Sequence, residues 1–248
     1  MAAYDLPEPN SFCVLQDFSN GMLVSLDKPQ GWTSFDVVNK VRYTLSRSLG
    51  VKRIKVGHAG TLDPLATGLL VICTGRMTKQ IMHLQAAEKR YTAVVHLGEY
   101  TATLDREGEV EKTGPTDHIT EEAIREVAAG FVGVYMQVPP VFSAKKVDGK
   151  RAYKAARSGR DIDMPPVGVT IDKCDVMAID GVKVTLDITC GKGTYIRSLA
   201  RDFGERLGTV ATLDYLRRTQ SGDYNLTEAL SLDDFLKKVR ELPREAPE

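Results

Sequence analysis

Cysteine is scarce in this chain, and the four residues present, Cys13, Cys73, Cys174 and Cys190, are scattered with no C-x-x-C pair. That spacing excludes a disulfide framework and a thiolate zinc site, and it suits small buried residues in a reducing compartment. Long apolar runs are missing, which excludes a membrane-spanning helix. Residues 1–5 lack the charged start and apolar core of a secretory signal, so the expected location is the cytoplasm. No strand–GxGxxG–helix unit occurs, leaving a dinucleotide fold unsupported. Net charge is absent too, since Lys+Arg and Asp+Glu number 33 each. Internal repeats, low-complexity runs and composition breaks are not found. At 248 residues the chain can still build one large domain or two small ones without covalent staples.

The neutral total hides a local asymmetry. Residues 37–62 contain no acid but hold Lys40, Arg42, Arg47, Lys52, Arg53, Lys55 and His58. A second basic run, Lys145, Lys146, Lys150, Arg151, Lys154, Arg157 and Arg160, is interrupted only by Asp148. The acids gather at 105–111, 117–126 and from 228 onward. A solvated face mixes signs, so two basic arms carrying Tyr43 and Tyr153 point to a nucleic acid. Arg42, Lys52, Arg53, Lys145, Lys150 and Arg151 are the residues expected on its backbone.

Pattern reading gives hairpins with helices inserted between them, an α+β class with a mostly antiparallel mixed sheet. Residues 1–20 have weak periodicity and read as a mobile lead-in. Residues 22–26 form a strand, and Ser34 caps a helix whose stripe is Phe35, Val38, Val41, Leu45 and Leu49, ended by Gly50. Strands are expected at 69–73, 91–98 and 213–216, and helices at 75–84 and between Thr120 and Gly130. The second basic arm reads as strand–turn–helix over 141–159. Residues 169–179 and 182–189 alternate around Asp180-Gly181 as a hairpin with a type I′ turn. A helix follows from Tyr195 to Gly208, and Ser231 caps a last short one.

The chemistry-bearing stretch is Gly57-His58-Ala59-Gly60-Thr61-Leu62-Asp63-Pro64-Leu65-Ala66-Thr67-Gly68. Its glycines suggest unusual dihedrals or a close backbone approach, and Pro64 biases Asp63 toward an extended conformation. An Asp in a turn also caps the turn's own amides, so this loop alone does not define a site.

Three stretches together do. They are the one just quoted, Lys89-Arg90-Tyr91 with Thr101-x-Thr103-x-Asp105, and Lys192-Gly193-Thr194-Tyr195-Ile196-Arg197, with Leu26-Asp27-Lys28-Pro29-Gln30-Gly31 in front. In this order, over residues 21–218, the chain resembles the TruB family of pseudouridine synthases, which isomerise the uridine at position 55 in the T-loop of transfer RNA. The resemblance implies that Asp63 is the catalytic carboxylate and that Arg197 pairs with it. By the same implication His58 fills the gap left by a flipped uridine, Tyr91 stacks on the target base, and RNA backbone approaches the glycines of the loop closely. Tyr195 and Leu216 line the base pocket, and Lys28, Lys79 and Asp105 sit in matching motifs. It implies a catalytic domain over 21–218 and only a short tail with one helix over 219–248, without the RNA-binding PUA domain that many members carry. No cofactor, metal, membrane or obligatory protein partner is expected, and a monomer is.

The residues suit that chemistry. Burial alone would raise the pKa of a carboxylate, and a guanidinium beside it reverses the shift. Two other classes fit parts of the pattern. A non-catalytic RNA-binding protein would use the basic arms with a structural Asp63 loop. A glycoside-type hydrolase would need a second carboxylate at fixed separation, for which Asp105 is the motif-borne candidate. Within the family, a guide-RNA-dependent modifier of ribosomal RNA would carry the additional domain.

Overall fold

The structure is a computed structural model and describes residues 6, 8–141, 146–147, 150–151 and 164–244. Along the chain lie α1 (Leu15–Asn20), β1 (Leu23–Lys28), α2 (Ser34–Leu49), β2 (Val56–His58), β3 (Thr67–Thr74), a 3-10 turn (Gly75–Gln80) and α3 (Ile81–Ala86). There follow β4 (Lys89–Leu97), β5 (Glu99–Thr101), β6 (Val110–Thr113), α4 (Glu121–Ala129), β7 (Gly133–Gln137), β8 (Lys146–Val147), β9 (Lys150–Arg151) and β10 (Val167–Asp180). The chain ends with β11 (Lys183–Cys190), α5 (Ile196–Arg206), β12 (Ala211–Ser221), β13 (Tyr224–Asn225), β14 (Leu230–Ser231) and α6 (Leu232–Glu241). The class is α+β with mostly antiparallel pairing, as expected. Two compact units form, residues 1–89 with 217–248, and residues 90–216.

In the first unit β3 is central. It pairs antiparallel with β1, from Leu23 opposite Cys73 to Lys28 opposite Gly68. Its other edge carries β2 antiparallel and the end of β12 parallel, with Arg217 opposite Thr67. Every residue of β3 is buried. Leu70 and Ile72, with Val24 and Leu26, meet Val38, Val41 and Leu45 of α2 and Phe235 of α6. Leu69, Val71 and Cys73 meet Leu84 of α3. A strand covered on both faces has no reason to alternate, which explains the unbroken apolar run at 69–73.

Residues 12–20 do not behave as a mobile lead-in. Phe12, Leu15 and Phe18 are buried, and the Phe12 and Phe18 rings lie 4.7 Å apart by centroids. The amides of Leu15 and Gln16, left free at the start of α1, donate to the carbonyls of Pro243 and Arg244 at 2.9 and 3.2 Å. The short C-terminal helix expected after Ser231 is present as α6, and its Phe235 and Val239 are buried in the same core.

Two local expectations also change. The N-cap of α2 is Thr33, whose side chain accepts from the Asp36 amide at 3.0 Å while the Asp36 carboxylate accepts from the Thr33 amide at 2.9 Å. Ser34 is thereby released for another task, and Phe35 points into solvent instead of joining the buried stripe.

In the second unit the strands follow the order β4, β11, β10, β7. Thr120 caps α4 as expected, accepting from the Ala123 amide at 3.2 Å. In the β10–β11 hairpin Asp180 pairs with Lys183, so the loop is Gly181-Val182. Positive φ occurs at Gly181 but not at Val182, which is not the type I′ pattern. α5 starts after Tyr195, and its Phe203 stacks on Phe131 at 6.1 Å. Of the second basic arm, β8 and β9 form a two-stranded ladder. Lys145 and the expected helix lie outside the described residues, as do the side chains of Lys150 and Arg151.

Candidate active site

The first unit brings the 26–31 and 57–68 motifs and the Arg217-Arg218 segment to one end of β3. Register sets Lys28 beside Gly68 and Arg217 beside Thr67. Arg217 closes the arrangement, donating from Nη2 to Asp27 Oδ2 at 2.6 Å and from Nη1 to Thr67 Oγ1 at 3.2 Å.

The segment carrying Asp63 is held by a set of bonds to its backbone. Asp63 to Ala66 is a turn with Pro64 at its second position, closed by the Ala66 amide on the Asp63 carbonyl at 3.1 Å. Ser34 Oγ donates to the Leu62 carbonyl at 2.9 Å and accepts from the Leu62 amide at 2.8 Å. The Pro64 carbonyl accepts from the Gly31 amide at 2.8 Å and from Lys28 Nζ at 3.3 Å. Arg218 Nε donates to the Leu69 carbonyl at 2.7 Å and Nη2 to the Gly60 carbonyl at 3.1 Å, tying the two sides of the loop. Asp63 itself stays half-exposed. The result is an aspartate on a rigid mount.

Two of those staples are buried cations. Lys28 is fully buried, and its Nζ also reaches the carbonyls of Pro29 at 3.0 Å and Trp32 at 2.6 Å. Burial pushes its pKa down to about 8, against the opposing pull of Asp63 and with the help of the Arg218 charge. Lys28 was expected at the substrate; the structure instead places its ammonium inside the loop, among main-chain oxygens.

His58 was expected on a loop and lies at the end of β2, opposite Ile72. Burial holds its pKa below the ordinary 6.5, the Gly60 backbone opposing this and the Arg218 charge adding to it. The ring is therefore neutral at physiological pH. A histidine depressed on folding contributes stability that is complete above its unfolded pKa and is lost as pH falls toward the folded value. Between about pH 7.5 and about pH 5 the unfolding midpoint of the parent should therefore drop further than that of His58→Gln. Parallel curves in a differential scanning measurement would refute this.

The basic candidates divide. Arg42 is half-buried and committed, donating to Asn39 Oδ1 at 2.6 Å and to the Val56 carbonyl at 2.9 Å, so it braces β2. Lys52, Arg53 and Lys79 are exposed. Arg53 and Lys79, with Lys55, Arg76 and Ser19, line a cleft of about 440 Å³.

In the second unit Tyr91 is buried on β4, while Tyr195 and Leu216 are half-buried. Arg197 is 7 % exposed, which rules out a solvated position on α5. Its Nη1 donates to the Thr103 carbonyl at 3.0 Å and lies 3.6 Å from Asp105 Oδ2. Asp105 is itself buried and accepts from the Glu107 amide at 3.0 Å. The Thr101-x-Thr103-x-Asp105 motif thus forms a cradle for the guanidinium, which argues against Asp105 as the free second acid of a hydrolase.

Sequence reasoning missed Ser34, Arg218 and Gln137. The last sits at the end of β7, immediately before Val138-Pro139-Pro140, and bonds both main-chain groups of Tyr195. The signal for it was a polar residue closing a strand just before two prolines. Among the described residues no group of three or more His, Cys, Asp or Glu could hold a metal ion, and no helix is long and apolar enough to cross a membrane.

With this geometry in place, the chain can be set beside known proteins. Residues 46–196 match the family model described as TruB family pseudouridylate synthase, N terminal domain. Residues 197–246 match the model of the tRNA pseudouridylate synthase B C-terminal domain. A tRNA pseudouridine synthase B of Parabacteroides distasonis is 49% identical over 90% of this chain and 96% of its own length. That of Flavobacterium johnsoniae is 44% identical over 91% of this chain and 99% of its own. Among solved structures, one of a Cbf5-Nop10-Gar1 complex matches with a TM-score of 0.68 at 27% identity, over 96% of this chain. This chain spans 60% of that one.

Proposed function

The chain belongs to the TruB family of pseudouridylate synthases, and from that membership we propose that it isomerises a uridine of transfer RNA to pseudouridine. The uridine is the one at position 55 in the T-loop, on the family resemblance. The observation that carries the reading most directly is the mount of Asp63, a half-exposed carboxylate fixed through main-chain bonds from Ser34, Gly31, Lys28 and Arg218. The turn itself is closed by the Asp63 main-chain carbonyl.

The reaction breaks the bond from C1′ to N1, turns the uracil, joins C1′ to C5 and releases the C5 proton. Atoms and oxidation state are conserved, so the work required is positioning, charge and proton movement. Asp63 acts on the nucleoside as an ionised carboxylate, whether at C1′, at C6 or on a ribose proton. Arg197 serves as its cationic partner, and Tyr91 supplies the face on which the extruded base stacks. Extrusion costs a few kcal/mol, and stacking returns roughly 1–3 kcal/mol per base. His58, neutral for the reason given above, occupies the vacated place. Tyr195 and Leu216 line the pocket, and exposed Lys52, Arg53 and Lys79 meet phosphates. The protein acts as a monomer in the cytoplasm on the T-arm. Nop10 and Gar1 belong to the Cbf5 complexes and are not needed here.

The test is a T-loop stem RNA carrying tritium at uridine C5. A synthase releases tritium while the base stays attached, a pure binding protein releases none, and a hydrolase frees uracil. Within this scheme Arg197→Lys should lower the rate by about 10- to 100-fold, the equivalent of losing one charged hydrogen bond of about 1.5–3 kcal/mol. A lysine keeps the charge but cannot reproduce the planar fork that now bonds Thr103 and faces Asp105. A rate within about twofold of the parent would contradict the assigned role.

A further inference from the structure

Gln137 is 1 % exposed, and all three of its described side-chain bonds end inside the second unit. Oε1 accepts from the Tyr195 amide at 2.8 Å, and Nε2 donates to the Tyr195 carbonyl at 3.1 Å. The same Nε2 donates to the Tyr135 hydroxyl at 3.0 Å, which in turn donates to Asp202. A primary amide that reads both main-chain groups of one residue does what a neighbouring strand would do. The next residue extends the contact, since the Val138 carbonyl accepts from Ser198 Oγ at 2.8 Å and from Arg201 Nη2 at 3.2 Å.

Tyr195 needs such a hold. It is the N-cap of α5, extended at φ −101° and ψ 109°, two residues after Gly193 at φ +83°. Its side chain makes no capping hydrogen bond, so nothing local to the helix fixes where the first turn begins. Arg197 follows two residues later. We propose that Gln137 is a positioning residue for pseudouridine formation, clamping the Tyr195 backbone so that the Tyr195 ring and the Arg197 guanidinium are presented in one orientation. The inference rests on the activity proposed above.

Gln137→Glu separates positioning from mere stability. In its acid form the new side chain keeps one acceptor and one donor for Tyr195, as the amide does. In its ionised form it sets a second acceptor against the Tyr195 carbonyl and breaks the clamp. The groups facing it are the Tyr135 phenol, Asp202 with Arg201 against it, and Tyr195, with Arg197 beyond. Burial beside Asp202 favours the acid form into the mildly acidic range. The single-turnover rate of Gln137→Glu, relative to the parent, should therefore fall by roughly 100-fold as pH rises from about 6 to about 8.5, the scale of a 1 Å misplacement. Gln137→Ala should be low at both values, with RNA affinity changed by less than about threefold.

A ratio to the parent that stays constant with pH would overturn the proposal. So would an alanine variant within about twofold of parental rate, or one whose RNA affinity falls as far as its rate. A parent protein that releases no tritium would sink the activity reading instead. The clamp is then read from hydrogen exchange at the Tyr195 amide, which Gln137→Ala should accelerate at equal global stability; an unchanged rate there would overturn it.

Discussion

Asp63→Asn will release no measurable tritium from the C5-labelled T-loop RNA, yet bind that RNA within about threefold of the parent's affinity. The two halves of this expectation follow from the way the loop is held. Asparagine has almost the same shape as aspartate, and the turn is closed by the Asp63 main-chain carbonyl, which the substitution keeps. Ser34, Gly31 and Arg218 also bind main-chain atoms of the loop. What disappears is one negative charge. Reversion by deamidation is blocked as well, because that route needs attack by the next residue's N–H and Pro64 has none. Asp63→Ala should behave alike. Turnover above about 1% of the parent's in either variant would remove Asp63 from the chemistry.

Gly68→Ala should be among the most damaging single methyl additions at the described glycines. Gly68 sits at φ +97°, where a side chain is strained in any surroundings. A methyl there would run into the Arg218 carbonyl oxygen and lie 2.8 Å from the Arg218 nitrogen. That backbone cannot step aside, because Arg218 is the residue paired with Gly68 across β3 and β12, and its side chain is committed to the Leu69 and Gly60 carbonyls. Overpacking against fixed backbone together with forbidden φ amounts to about 3–5 kcal/mol. For a chain of this size the unfolding midpoint should fall by roughly 6–20 °C. Gly31→Ala is the control, at φ +81° with nothing within 4 Å of the new methyl, and should lose only about 1 kcal/mol. If Gly68→Ala melted within about 2 °C of the parent, the crowding described here would be wrong.

The same glycine shows what the residues alone could convey. Three glycines around Asp63 announced an unusual backbone, and that was right. Their expected reason was the approach of RNA, and for Gly68 the approaching backbone is the protein's own β12. The α+β class, the end of α2 at Gly50 and the Thr120 cap of α4 were legible because periodicity and capping are local. The packing of Phe12 and Phe18 was not, since three aromatics from distant segments make one cluster that no local window contains. The site residues were legible as motifs, but their supports were not. Ser34 read as a cap because serine before an apolar stripe usually is one, and Thr33 took that place. Arg218 was not singled out at all, and burial makes it a brace. Lys28 was picked out correctly as part of a motif, yet its ammonium turns inward to three carbonyls, a choice set by the register between β1 and β3.

The amides of α1 that end on Pro243 and Arg244, and the pairing of β1 with β14, have a bearing on how the protein is made. Residues 90–216 are contiguous and can collapse as soon as they leave the ribosome, whereas the unit bearing Asp63 is sewn shut by segments separated by most of the chain. Its sheet lacks an edge and its core lacks Phe235 until synthesis has passed residue 240. The Arg218 brace of the carboxylate loop is made only after all of residues 90–216, so a chain stopped short of Arg218, although it already contains every residue of the loop, lacks the bonds that tie its two sides together.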